Sequence, residues 1–165
     1  MGGAGLPGAQ GPDRSAAPQG PRLDASVWLW SEVQSGVATL TAPLVDAFVP
    51  QMLNYESIGG VNFKKGCYPG QEVVARSQFR GTLKRRTALV HSHAALSAGQ
   101  DIFTPADPEQ PCATVVLCAA RPDGQGFDAL VSGTTESLQN GWRVGSSEGE
   151  ALALLPLPYP LLADI

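Results

Sequence analysis

Charge is scarce in this chain: 16% of its 165 residues are Asp, Glu, Lys or Arg, against 43% hydrophobic. That balance excludes a chain too polar to bury a core, and the length allows one or two small domains. Cysteine is sparse as well. Cys67, Cys112 and Cys118 are odd in number and follow no secretory apolar segment, so they do not read as a disulfide scaffold. A reducing, cytoplasmic setting is the expectation. Long apolar runs are missing. Leu152 to Leu162 is broken by Pro156, Pro158 and Pro160, and it falls short of the roughly 20 residues that span a bilayer. It reads as a final strand and a docked tail, with no membrane contact. Histidine is confined to His91 and His93, and no finger spacing links them to the cysteines, so no metal site is expected. Neither GxGxxG nor GxxxxGK[ST] occurs, which removes the usual sequence support for a phosphate cradle.

The charge that is present is unevenly placed. Lys64, Lys65, Arg76, Arg80, Lys84, Arg85 and Arg86 face the single Glu72 across one segment, whereas nine acids follow Arg86 against only Arg121 and Arg143. The formal charge of -4 argues against direct nucleic-acid binding. The basic segment is either a local anion site or a solvated face that also pairs with the acidic region behind it.

Residues 1–23 hold six Gly and four Pro and almost nothing large and apolar, which predicts a mobile segment. A helix from Asp24 to Gln34, capped by Asp24 and ended by Gly36, competes with a strand in which Trp28 and Trp30 share one face. Val37 to Leu40 reads as the start of a strand, and Ala47 to Leu53 as a short helical turn broken by Pro50. A second helix is expected from about Pro69 to Gly81, with Val73, Val74 and Ser77 on one side. The remainder reads as β: Arg85 to His91, Asp101 to Thr104, Cys112 to Ala119, Phe127 to Val131, Trp142 to Val144 and Ala151 to Leu155, separated by turn signals. The fold class is therefore α+β. A Gly/Pro-rich segment (1–23) precedes a small helix-containing segment (24–83) and a C-terminal antiparallel β-barrel (84–165). Cys112 and Cys118 are expected to point inward from one strand face.

If the chain has chemistry of its own, Cys67 is the place to look for it. A cysteine ahead of a helix N-terminus, bracketed by Gly66 and Gly70 and preceded by Lys64 and Lys65, has surroundings that raise thiol reactivity. A small residue filling a tight turn is the plainer account of it. Gln51, Asn54 and Gln71 offer amide groups for a heterocycle, and Phe63 and Tyr68 offer rings to stack on one; turn capping and core packing explain the same residues.

The run Lys65-Gly66-Cys67-Tyr68-Pro69-Gly70-Gln71-Glu72 resembles the K-G-C-Y-x-G-Q-E signature of the YgfZ family of folate-binding proteins, related to the T-protein of the glycine cleavage system. Phe48-Val49-Pro50-Gln51-Met52-Leu53-Asn54 ahead and Val74-Ala75-Arg76 through Arg80-Gly81 behind agree with it. The resemblance covers about residues 25 to 165. It implies a segment of a T-protein-like folate-binding core followed by the family's terminal barrel, in a fold of three domains around a folate-binding opening. It also implies a role in assembling or repairing [4Fe–4S] clusters of client enzymes, radical-SAM tRNA-modifying enzymes among them. The motif cysteine carries over onto Cys67. Lys65, Tyr68, Gln71 and Glu72 match as supports of the loop and helix start, and Arg76 and Arg80 as charge beside the opening. Asn54, Tyr68, Gln71, Glu72 and Arg76 are thus the expected cofactor contacts, with tetrahydrofolate as the cofactor.

Family members run well over 200 residues, so the chain resembles the C-terminal half of one. It is therefore expected to hold tetrahydrofolate weakly or not at all by itself, with an N-terminal half as a further partner, and not to be a self-standing enzyme. Two other readings stay open. One is a folate-dependent aminomethyltransferase, for which only Glu56 or Glu72 lies near the motif. The other is a non-catalytic client-binding module in which Cys67 is inert.

Overall fold

The computed structural model describes residues 20–63, 65–79 and 84–162. The Gly/Pro-rich stretch up to residue 19, Lys64, Arg80, Gly81 and the expected boundary at Thr82 lie outside these.

Helix α1 spans Ala25–Gln34. The Asp24 carboxylate caps it, accepting from the Ser26 N–H at 2.7 Å and the Ser26 hydroxyl at 2.6 Å. These bonds favour the ionised form and hold the Asp24 carboxyl below its ordinary range. The helix therefore prevails over the competing strand, and the two tryptophans part company. Residues two apart in a helix point nearly opposite ways, so Trp28 is 60% exposed while Trp30 packs against the core. Gly36 ends the helix at φ 70°, a conformation open to glycine at little cost. A side chain there would also collide with the Tyr159 ring, 2.7 Å from the Cβ position. Tyr159 instead donates its hydroxyl to the Gly36 carbonyl at 2.7 Å, seating the tail as expected.

Val37 to Leu40 forms no strand. Only Ala38 is buried there, and its carbonyl accepts from the Tyr55 hydroxyl, which leaves no ladder for the segment to join. Short 3₁₀ helices follow at Ala42–Leu44 and Pro50–Leu53, each with proline in its first turn. Helix α2 spans Gln71–Phe79, two residues later than Pro69. It buries Val74 but leaves Val73 57% exposed, so the two do not share a buried side.

Six antiparallel strands follow: β1 (Arg85–Ser92), β2 (Asp101–Phe103), β3 (Ala113–Ala120), β4 (Phe127–Thr134), β5 (Arg143–Val144) and β6 (Ala153–Leu155). A third 3₁₀ helix, Ser137–Asn140, joins β4 to β5. The sheet order is β5-β2-β3-β4-β1-β6. Its longest unbroken register is β1 on β4, eight residues from Arg85 opposite Thr134 to Ser92 opposite Phe127. The chain just ahead of β6 bonds to β5, through Val144 N–H to the Glu150 carbonyl at 3.0 Å and Leu152 N–H to the Trp142 carbonyl at 2.9 Å. The chain then pairs with β1 as β6. This draws the two sheet edges together, so the sheet curls into a half-barrel.

Each face of the sheet has its own core. Inside the curl lie Val90, Ile102, Val115, Val131 and Trp142. On the other face Leu89, Val116 and Leu130 pack against Val33, Ala38, Leu44 and Leu53 of the helical segment. A bulge between Val115 and Leu117 shifts β3 by one residue. Cys118 consequently shares the inner face with Val115, and Cys112, at the entry to the strand, packs against the same cluster.

Candidate functional site

The motif loop is a local construction. The Tyr68 N–H donates to Gln71 Oε1 at 3.2 Å, and the Gln71 N–H donates to the Tyr68 carbonyl at 3.1 Å. This reciprocal pair closes the turn that delivers the chain into α2, with Gly70 at φ 82° making the corner. Glu72 sits in the first turn of α2, where its charge suits the positive end of the helix dipole. The Lys65 ammonium stands 5.6 Å from the centre of the Tyr68 ring, within reach of a cation–π contact. Cys67 projects from this loop as an exposed, free thiol. Together with Tyr68, Gln71, Glu72 and Ala75 it lines a shallow surface depression. Arg76 is exposed one turn further along α2.

Asn54 is elsewhere. It is fully buried at φ 61°, and its side chain reproduces a strand partner for β1. Its Nδ2 donates to the Thr87 carbonyl at 2.7 Å, and its Oδ1 accepts from the Thr87 N–H at 3.2 Å. Gln51, also fully buried, donates to the Val74 carbonyl at 2.6 Å and so ties α2 to the 3₁₀ turn beneath it. The structure thus brings Cys67, Tyr68, Gln71 and Glu72 together and keeps Asn54 in the core.

Part of the basic segment is structural. Arg86 pairs with the buried Glu56 and donates to the Leu162 carbonyl at 3.0 Å. Arg85 reaches the Ser132 carbonyl at 3.1 Å. Glu56 therefore does not face the motif as a free carboxylate; it is 5% exposed and also accepts from the Ser57 hydroxyl at 3.0 Å.

The strongest polar cluster was not anticipated from the sequence. Asp128 in β4 is fully buried and accepts from the Trp30 indole at 2.7 Å and Gln34 at 2.9 Å, both on α1. His91 Nδ1 lies 2.9 Å away and Arg121 at 3.4 Å. One signal was available: a lone acid inside the otherwise apolar run Phe127-Asp128-Ala129-Leu130-Val131 demands partners when that run becomes a central strand. Among the described residues no group of three or more His, Cys, Asp or Glu side chains could hold a metal ion. No described helix is long and apolar enough to cross a membrane.

The three thiols are unequal. Cys112 and Cys118 direct their sulfurs at the Ile102 and Leu96 carbonyls, at 3.4 and 3.1 Å, and burial pushes both thiols up. Alkylation by iodoacetamide at pH 7.5 should therefore modify Cys67 at least tenfold faster than the other two, read by peptide mass spectrometry over time. Equal rates for all three would mean that exposure and burial do not govern their reactivity.

No family model matches the chain. Over 145 residues it is 34% identical to the tRNA-modifying protein YgfZ of Cronobacter sakazakii, a match covering 85% of this chain and 44% of that protein. The chain is similar to YgfZ. A match covering that share of the chain cannot avoid the Cys67 loop or the sheet that follows. The chain nevertheless spans less than half the length of YgfZ.

The depression beside Cys67 also bears on tetrahydrofolate. Binding sites enclose 70–90% or more of a small ligand, whereas the five residues around this depression form a single shallow wall. An aromatic ring, a carboxylate and an amide suit one face of a heterocycle; the other faces have no counterpart among the described residues lining it.

Proposed function

We propose that this chain is the portion of a folate-binding, YgfZ-type protein that carries the reactive thiol, and that it serves the assembly or repair of iron–sulfur clusters. Its clients would be iron–sulfur enzymes such as radical-SAM tRNA-modifying enzymes, so its effect on tRNA is indirect. The observation that carries this reading is the exposed Cys67 thiol on a closed turn at the head of α2, inside the stretch that matches YgfZ. In this reading the helical segment belongs to a T-protein-like core. The Tyr68 ring and the Gln71 and Glu72 side chains offer one face to the pterin of tetrahydrofolate, and Arg76 offers charge to its carboxylates. Tetrahydrofolate, when bound, supplies a one-carbon carrier beside the thiol. Lys65, held over Tyr68, keeps that ring in place.

Two measurements test this. Expressed in cells lacking their own YgfZ together with the polypeptide that completes the YgfZ length, this chain should restore activity of a [4Fe–4S] tRNA-modifying enzyme. Cys67→Ala should abolish that rescue while leaving the thermal midpoint unchanged, since the side chain is exposed. Full rescue by Cys67→Ala would overturn the role of the thiol. Calorimetric titration of the chain alone with tetrahydrofolate should show no binding in the low micromolar range; tight binding would show that one wall is enough.

A further inference from the structure

We propose that the cleft at one end of the half-barrel, between the β2–β3 and β4–β5 connections, is a binding site for a guanidinium group. Its volume is about 360 Å³, at the low end for small-ligand sites, so it suits one side-chain-sized group rather than a folded surface. One wall is the turn after β2, where the Asp107 N–H donates to the Thr104 carbonyl at 3.3 Å. The other is the 3₁₀ helix Ser137–Asn140 with Glu136 just ahead of it.

The first observation is a hydroxyl left over. Thr104, Thr134 and Ser137 all line the cleft. The last two are spent on the wall itself. Thr134 Oγ1 accepts from the Ser137 N–H at 3.3 Å, and the Ser137 hydroxyl donates to the Thr134 carbonyl at 2.8 Å and accepts from the Trp142 indole at 2.9 Å. Thr104 is only 3% exposed, yet its hydroxyl has no hydrogen-bond partner among the described residues. Buried hydroxyls are nearly always bonded, so the partner of this one has to come from the cleft.

The second observation is charge without an internal counterpart. Asp107 and Glu136 stand on the two walls, and neither side chain has a hydrogen bond or ion pair with a described residue. Other acids of the sheet region are engaged: Asp123 by Arg121 at 2.8 Å, and Glu150 by the Ala94 N–H at 2.7 Å. Arg121 is thereby spent, and Arg143 donates to the Gly149 carbonyl at 3.1 Å. Arg85 acts on the Cys112 thiol from β1, but it is held by the Ser132 carbonyl and does not line the cleft. The cation that suits the cleft therefore comes from outside. A bare metal ion does not fit, since no group of three or more His, Cys, Asp or Glu among the described residues could hold one. A guanidinium does, because its five N–H donors lie in a plane and can reach acceptors on both walls at once. Those acceptors are the two carboxylates, the amide oxygens of Gln110 and Asn140, and the Thr104 hydroxyl.

The probe is acetyl-arginine amide, titrated into the labelled full chain at low salt and followed by amide proton–nitrogen NMR. Saturable shifts are expected at Asp107, Gln110, Glu136 and Asn140, with a dissociation constant of about 1 mM. The uncharged citrulline analogue should leave those signals in place. Asp107→Asn with Glu136→Gln should weaken binding about tenfold or more, as loss of charged hydrogen-bond partners does. Thr104→Val should also weaken binding with an unchanged thermal midpoint, since that hydroxyl supports nothing inside the fold. A glycine-flanked arginine peptide separates two sources of the group: tighter binding than the amide assigns an arginine side chain of a polypeptide, and equal binding assigns a free guanidinium compound. No saturable shift at about ten times the expected constant overturns the proposal. So does equal binding of citrulline, or full binding by the double carboxylate variant. Equal binding of acetyl-lysine amide overturns the assignment to a guanidinium. No readout involves folate or the Cys67 thiol, so this result and the functional proposal stand or fall separately.

Discussion

Asp128→Ala is expected to lower the unfolding free energy by about 3–5 kcal/mol, because it strands several buried or half-buried donors at about 1–3 kcal/mol each. The carboxylate is fully buried and is the shared acceptor for α1 and the sheet: Trp30 and Gln34 reach it from the helix, His91 and Arg121 from the strand side. Removing it leaves Trp30, Gln34 and His91 without this partner while Arg121 keeps Asp123, and the two on α1 lie in a half-buried layer where water replaces it poorly. The helix itself is short, and helices of this length hold their shape mainly through packing. Urea denaturation followed by tryptophan fluorescence should show a lower midpoint. Asp128→Asn, which keeps an acceptor oxygen but not the charge, should cost less than the alanine variant. A loss under about 1 kcal/mol for Asp128→Ala would mean that the apolar contacts of Val33 and Trp30 hold α1 in place without it.

The second large effect belongs to Asn54. Asn54→Ala should destabilise the chain by about 3 kcal/mol, because it strips a buried N–H and a buried carbonyl of Thr87 of their partner. It also forces alanine into the φ 61° conformation, which costs roughly 1–2 kcal/mol for a residue with a Cβ and no local polar group. Asn54→Gly relieves the second term and keeps the first, so it should be the milder variant. Chemical denaturation of the three proteins separates these causes. A residue serving a ligand alone would leave the stability of the unliganded chain unchanged in both variants, and that outcome would reassign Asn54 to the binding surface.

These two residues show where reading the sequence stopped short. Asn54 was visible only as an amide beside a proline-containing turn, equally suited to a ligand or to a cap. Nothing local says that Thr87, 33 residues later, presents both main-chain groups to it. Asp128 was passed over although it stands as a lone acid in an apolar run, and its partners come from three places in the chain, α1, β1 and the turn after β3. Arg86 looked like one member of a basic segment until Glu56 was found against it. Asn54 and Arg86 were noticed as an amide and a charge and Asp128 was not, and for all three the partner was beyond local inspection.

Local chemistry was determined by the sequence alone. The Asp24 cap and the turn into α2 at Gln71 follow from contacts within a few residues, where side chain and main chain choose each other directly. The strands were legible as short apolar runs between turn signals, though their pairing joins distant residues, and Pro50 starts its 3₁₀ turn where the sequence suggested that it breaks one. The motif around Cys67 belongs to the same class, since Tyr68 and Gln71 close its turn without outside help. The inward placement of Cys112 and Cys118 was legible as well, but only the tertiary structure showed how it is reached: a bulge in β3 turns Cys118 to the inner core, Cys112 packs there from the entry to the strand, and no described element covers Cys67. The tertiary structure also decided that Asn54 and Glu56 serve the core rather than the motif, and that Trp28 faces outward while Trp30 does not. Those choices turn on which distant surface arrives to bury a side chain or satisfy its polar atoms, and that is a property of the whole packed chain.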